Sequence, residues 1–207
     1  MRRNVGTRAN GLGKVLSILA LAVALLPLPA QTKKSLVIFP VGLGEAALST
    51  DAYNFETTGT TALLAAANAT EKFYLISYSR THAGIKRALA EGTIQAAMLL
   101  PPFTGKVNNR YRSVVLGSLL RADFAVAAAV DSYRYDAESK TVKLSAMLEA
   151  YDVKGARLVG SFATSVEAAG ENESAAAAAA WKKFVDFSFP QAVEKLMAPP
   201  KPPSGGN

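Results

Sequence analysis

The chain contains no cysteine and a single histidine, His82. Absence of cysteine excludes disulfides, thiolate metal sites, a cysteine nucleophile and a lipobox anchor. One histidine excludes any site built on two imidazoles. A metal would have only oxygen ligands, and no EF-hand spacing occurs, so neither metal nor cofactor is expected. No run reaches the roughly 18–20 apolar residues of a transmembrane helix. Half of the 207 residues are nonetheless hydrophobic, which suits one domain with a real core.

The formal charge of +7 is concentrated at the N-terminus. Met1–Lys14 carries Arg2, Arg3, Arg8 and Lys14 and no acid, and Val15–Leu26 (VLSILALAVALL) is almost wholly apolar. Pro27-Leu28-Pro29-Ala30 then leads into polar Gln31–Lys34. A basic stretch, an apolar stretch and a small residue at the exit describe a secretory signal peptide over residues 1–30, cut after Ala30. An uncleaved anchor is the alternative, but twelve residues of helix span only about 18 Å. Removing the signal takes 4 of 23 basic residues and none of 16 acidic ones, leaving 19 − 16 = +3. Nucleic-acid binding loses its electrostatic support with it. The predicted location is the periplasm or the exterior. Ala198–Asn207 (APPKPPSGGN) reads as a disordered Pro/Gly-rich tail, so a single domain is expected over residues 35–197.

Within that domain Ser35–Val41 reads as a buried strand and Thr57–Ala69 as a helix. Glu71–Tyr78 is a strand by composition, and Thr81–Glu91 a helix capped by Thr81. A helix over Arg110–Arg121 is expected to bury Val114, Val115, Ser118 and Leu119. Phe124–Val130, Thr141–Tyr151 and Arg157–Val166 follow as a hairpin-linked meander. In the middle strand Val142, Leu144, Ala146, Leu148 and Ala150 share one face. Lys143, Ser145, Met147, Glu149 and Tyr151 share the other, expected to be wet. Glu173–Phe189 is a helix with Trp181, Phe184, Val185 and Phe189 as its packing stripe, broken or restarted at Pro190. The sum is a mixed α/β (α+β) domain, with helices on one face of a mostly antiparallel sheet.

The segment Gly117–Val126 (GSLLRADFAV), then Asp131-Ser132-Tyr133, then Tyr151-Asp152-Val153-Lys154-Gly155 resembles a group of bacterial envelope domains. That group includes the curli secretion lipoprotein CsgG and the amino-terminal domain of TolB. The resemblance covers about 130 residues and rests on turns and strand alternation, which specify fold better than function. CsgG-like pore formers carry an acylated cysteine and membrane hairpins, and TolB carries a propeller; none is visible here. What the resemblance implies is a stand-alone envelope module used for protein contact.

Candidate chemistry is sparse. Gly42-Leu43-Gly44-Glu45-Ala46-Ala47 fits G-x-G-x-x-A after a strand, so a ligand or nucleotide loop using Gly42, Gly44 and Arg80 is one reading. No acid closes the second strand, where Ser79-Arg80 stands, and the later strands are hairpin-linked rather than crossovers. No G-x-S-x-G elbow accompanies His82. The close carboxylates fall in predicted loops and turns. Catalytic residues are therefore not expected, and the chain is read as a non-enzyme. Tyr133-Arg134-Tyr135 and Arg110-Tyr111-Arg112 mix aromatic and basic residues. Tyr133, Arg134, Tyr135, Arg110 and Tyr111 are the candidate partner-binding residues, since Tyr and Arg are favoured at interfaces. An envelope protein is the expected partner.

Overall fold

A computed structural model describes residues 33–44, 47 and 52–199. The expected signal peptide lies outside the described residues, as do Glu45, Ala46, Asp51 and all but the first two residues of the expected tail.

Lys34–Ile38, whose last three residues are apolar and buried, forms β1, and the chain continues past Pro40 into the two-residue β2, Gly42–Leu43. A π-helical turn, Phe55–Gly59, capped by the Asn54 side chain, leads into α1, Thr60–Ala69. Phe73–Ile76 is β3 and Ala83–Ala90 is α2. His82, rather than Thr81, caps α2: its Nδ1 accepts the Gly84 N–H. Val107–Leu119 is α3. The meander comprises β4 (Phe124–Asp136), β5 (Thr141–Asp152) and β6 (Arg157–Ala169), and α4 (Glu173–Met197) closes the fold.

The six strands form one mixed sheet in the order β3-β1-β4-β5-β6, with β2 beside β4. β1 runs parallel to both β3 and β4, whereas β4-β5-β6 is antiparallel. Helices cover both faces, not one. Leu36, Ile38, Val126, Leu144 and Leu148 meet α1 and α4 on one side. Val37, Phe39, Ala125 and Ala127 meet α2 and α3 on the other. The reason is topological: β1 sits between β3 and β4. The crossover from β1 to β3 and the one from β3 back past β1 to β4 run in opposite directions across the sheet, so they place their helices on opposite faces when each keeps the same hand.

Three local expectations are corrected. First, α3 buries Ser113, Leu116 and Gly117, while Ser118 is exposed. The small residues let the helix approach closely: a Cβ on Gly117 would lie 2.8 Å from Val153 Cγ2. Second, the wet face of β5 is wet only over its first half. Glu149 and Tyr151 are fully buried, because α3 and the loop before it cover that end. Third, α4 runs through Pro190 to Met197. Phe189, Ala192, Val193 and Leu196 continue the buried stripe, and that burial outweighs the lost helical hydrogen bond. Trp181 is core, as its spacing predicts.

Asp123 and the Tyr151–Gly155 turn meet in space. The Asp123 carboxylate accepts the Ser35 N–H at 2.9 Å and the Ser35 hydroxyl at 2.8 Å, and pairs with Lys154. The Asp123 carbonyl accepts the Val153 N–H. Asp152 closes the same hairpin by accepting the Gly155 N–H and the Arg157 guanidinium. One aspartate thus ties β1, the start of β4 and the β5–β6 turn together. Burial opposes its ionisation, but Lys154 and the Ser35 donors outweigh this and hold its pKa at about 2. A folded-state pKa below the unfolded value of about 3.8 stabilises the fold above that value. The contribution is lost as pH falls from about 4 through about 2. With exposed Lys154 screened by solvent, about 1–2 kcal/mol is expected. Urea midpoints for the wild type should drop over that window, whereas Asp123→Asn should start lower and lose this part of the pH dependence. A variant curve parallel to wild type refutes the clamp.

Candidate functional site

Leu100–Lys106 (LPPFTGK) crosses the sheet between a short 3-10 turn and α3, and it is held from below and from the side. From below, Glu149 rises out of β5 with its carboxylate fully buried. Its Oε1 accepts Arg110 Nε at 2.9 Å and Nη2 at 2.7 Å. Its Oε2 accepts the Gly105 N–H at 3.0 Å and the Tyr151 hydroxyl at 2.6 Å. Both oxygens are thereby committed to the protein. A carboxylate whose lone pairs are filled this way positions a loop and has no capacity left to take a substrate proton. Burial, then Glu149, push the Tyr151 phenol far above its usual range, so it stays a donor. Glu149 raises Arg110, whose cation is firmly held.

From the side, Arg112 donates to the Pro102 carbonyl, to Ala97 O at 3.1 Å and to Asn109 Oδ1 at 2.7 Å. Its guanidinium stands 5.7 Å from the centre of the Phe103 ring, within cation–π range. Phe103 is fully buried and stacks on Phe39 at 4.8 Å between centroids. Ser113 donates to the Phe103 carbonyl at 2.7 Å. The loop is therefore pinned through its backbone and through one aromatic anchor.

What the latch leaves outside is apolar. Val107 is 76% exposed, Tyr111 65% and Leu100 47%. Val107 and Tyr111 are one turn apart on α3, and Leu100 opens the loop that Arg112 staples to the same helix end. Isolated exposed apolar residues are ordinary; here Val107 and Tyr111 are neighbours on one helix face, and Leu100 begins the loop that leads into it.

The remaining predicted residues scatter. Tyr133 and Tyr135 pack toward α4, on the opposite face of the sheet from Arg110. Tyr133 donates to Glu173 at 2.9 Å and stands edge-on to Phe55. Arg134 is exposed and lines a shallow cleft of about 440 Å³ with Lys143 and Glu167. Tyr111 is the exposed member of Arg110-Tyr111-Arg112; both arginines are spent within the protein. Gly42 backs onto Pro102, where a Cβ would come within 2.7 Å, and the Gly44 N–H is taken by Val130 O at 2.7 Å. The Gly44 amide therefore does not face a ligand. Arg80 pairs with Glu56 at 3.8 Å, and Glu56, Leu43 and Pro101 line a cleft of about 430 Å³. Glu149, Leu100 and Val107 were not singled out by sequence. The only signal was an acid between Leu148 and Ala150 in the apolar second half of β5, which reads equally well as part of the solvated face that begins with Lys143 and Ser145.

Among the described residues no helix is long and apolar enough to cross a membrane. No family model and no curated protein matches the sequence. Solved structures do resemble it. The hypothetical protein CT253 of Chlamydia trachomatis superposes with a TM-score of 0.56 at 15% identity, over 81% of this chain and 100% of that one. Lipoprotein GNA1162 of Neisseria meningitidis gives 0.44 at 15%, over 78% and 99%. The LpoB C-terminal domain of Escherichia coli gives 0.40 at 12%, over 72% and 93%. At such identities the likeness to CT253 speaks for the α+β fold, and the other two are named as neighbours only, neither of them CsgG or TolB.

Proposed function

We propose that the chain is an exported bacterial envelope protein whose role is non-enzymatic: it presents a rigid apolar patch to a partner protein. It would be cut after Ala30, as the basic and apolar stretches before that residue imply, leaving one domain over residues 35–197; the resemblance to CsgG and TolB amino-terminal domains implies a stand-alone envelope module used for protein contact. The observation that carries the reading is the latched loop. A buried, fully bonded Glu149 orders Leu100–Lys106, and Leu100, Val107 and Tyr111 stand exposed around it. Ordering a loop before binding removes entropy that association would otherwise cost. Large apolar and tyrosine side chains on such a base fit a hot spot.

The test is crosslinking of the purified full chain in an envelope extract, followed by mass spectrometry. One envelope protein should be recovered repeatedly. Val107→Ser with Tyr111→Ala should cut its recovery roughly tenfold, with the thermal midpoint unchanged. Equal recovery with that double variant removes the patch from the function. Stabilisation by a nucleotide or other small ligand, lost in Arg80→Ala, would move the function to the cleft beside Gly42.

A further inference from the structure

We infer that the outer edge of β6 is a homodimer interface, with two copies pairing antiparallel about Thr164. This stands apart from the Val107–Tyr111 patch and does not depend on it.

β6 is the last strand of the sheet, and no described strand pairs with its outer side. The direction of its free groups follows from one hydrogen bond. Gly170 N–H donates to Lys140 O, so in the β5–β6 ladder the even residues from Gly160 to Gly170 face β5. The N–H and C=O groups of Ser161, Ala163, Ser165 and Glu167 therefore point outward. The Glu167 carbonyl agrees: its partner is Lys183 Nζ at 2.8 Å, not a strand. Native edges of this kind are blunted by lysine, proline or a bulge. The stretch Ser161–Ser165 has none of these.

The occupant is argued from self-complementarity. An antiparallel pairing that uses the outward residues sets Ala163 against Ser165 of the second copy, and Ser161 against Glu167, whose carbonyl then shares its two lone pairs between Lys183 and the Ser161 N–H. On the helix-covered face the same register sets Phe162 beside Val166 and Thr164 beside Thr164. Aromatic–β-branched and Thr–Thr are favourable cross-strand pairs. Phe162 and Val166 are half-buried in one copy and retain surface to bury.

The helices fit the same axis. α4 rests on β5 and β6 together. With strands about 4.8 Å apart, two such helices come to about 10 Å across the axis, the spacing of packed helices. Phe187 is the exposed aromatic on that flank, at 55%. It lies one turn beyond Lys183, which reaches Glu167. Lys195, further along α4, lies 3.5 Å from where a Gly160 Cβ would sit. Phe187 thus stands beside the edge near Thr164, where its twin in the second copy would meet it. A two-fold contact uses this edge once per copy and closes, so it does not propagate into fibres.

The test is sedimentation equilibrium on the purified full chain over a concentration series, which should show a reversible monomer–dimer equilibrium. Phe187→Ser, and Ser165→Pro, which removes an outward N–H only, should each weaken the dimer at least about tenfold without moving the thermal midpoint. The cysteine-free chain permits a register test that survives misfolding of either variant. In a non-hydrogen-bonded pair the two Thr164 Cα atoms lie about 4.5 Å apart, within disulfide range. Thr164→Cys should therefore oxidise to a covalent dimer, and Ser161→Cys should not. A wild-type chain that stays monomeric throughout overturns the proposal, as does equal crosslinking by the two cysteine variants.

Discussion

Replacing Trp181 by alanine is expected to lower the unfolding free energy by roughly 4 kcal/mol, the largest effect of any single truncation considered. The indole is fully buried. It stands edge-on to Phe55 at 5.5 Å and against Phe184 at 5.0 Å between centroids. Its Nε1–H donates to the Gly59 carbonyl at 3.0 Å, at the junction of the π-helical turn with α1. Truncation therefore removes a transfer contribution, leaves a cavity and strips a buried carbonyl of its donor. For a domain of this size the thermal midpoint should fall by about 10 °C. Trp181→Phe keeps most of the volume and loses the hydrogen bond, so it should cost about half as much. Chemical denaturation of the three proteins separates the contributions. A loss below about 1 kcal/mol for Trp181→Ala would mean that α4 is not the keystone of this core.

Glu149→Ala is expected to cost about 3 kcal/mol. The buried carboxylate has four donors, and its removal orphans the Gly105 N–H and leaves the Tyr151 hydroxyl only the more distant Phe103 carbonyl, at 3.4 Å. Arg110 remains partly exposed and rehydrates, which keeps the cost at the low end for a broken buried pair. Arg110→Ala should be at least as damaging, because it leaves a charge inside with only neutral donors. Glu149→Gln retains an acceptor and the shape, and should recover about half of the loss. The second readout is local: limited proteolysis within Leu100–Lys106 should accelerate in Glu149→Ala well before global unfolding. An intact loop in that variant would show that Arg112 and Phe103 hold it alone.

The legible parts of this protein are those with a local period. The alternation of β5, the α4 stripe from Trp181 to Phe189 and the hairpin turns are all readable over a few residues. So is the group of turn residues around Asp123 and Tyr151–Gly155, although nothing local says that they bind one another across the fold. Boundaries shifted by one to several residues where caps and packing took over, as at His82 and Val107. The candidate site was less legible. Arg110 and Tyr111 read as one mixed patch, yet a helix turns the first inward to Glu149 and the second outward. Tyr133 and Tyr135 read as a surface pair, yet they pack toward α4.

Composition and local pattern by themselves determined the α+β class, the central meander, the core role of Trp181 and the exclusion of sites built on cysteine or on two histidines. They do so because periodicity records which side of an element avoids water. Only the tertiary structure decided that helices lie on both faces, that Glu149 is buried and bonded rather than wet, and that no described strand pairs with the outer edge of β6. Each of these depends on which distant segment arrives to cover a face, and a face that reads as polar over ten residues carries no record of that arrival.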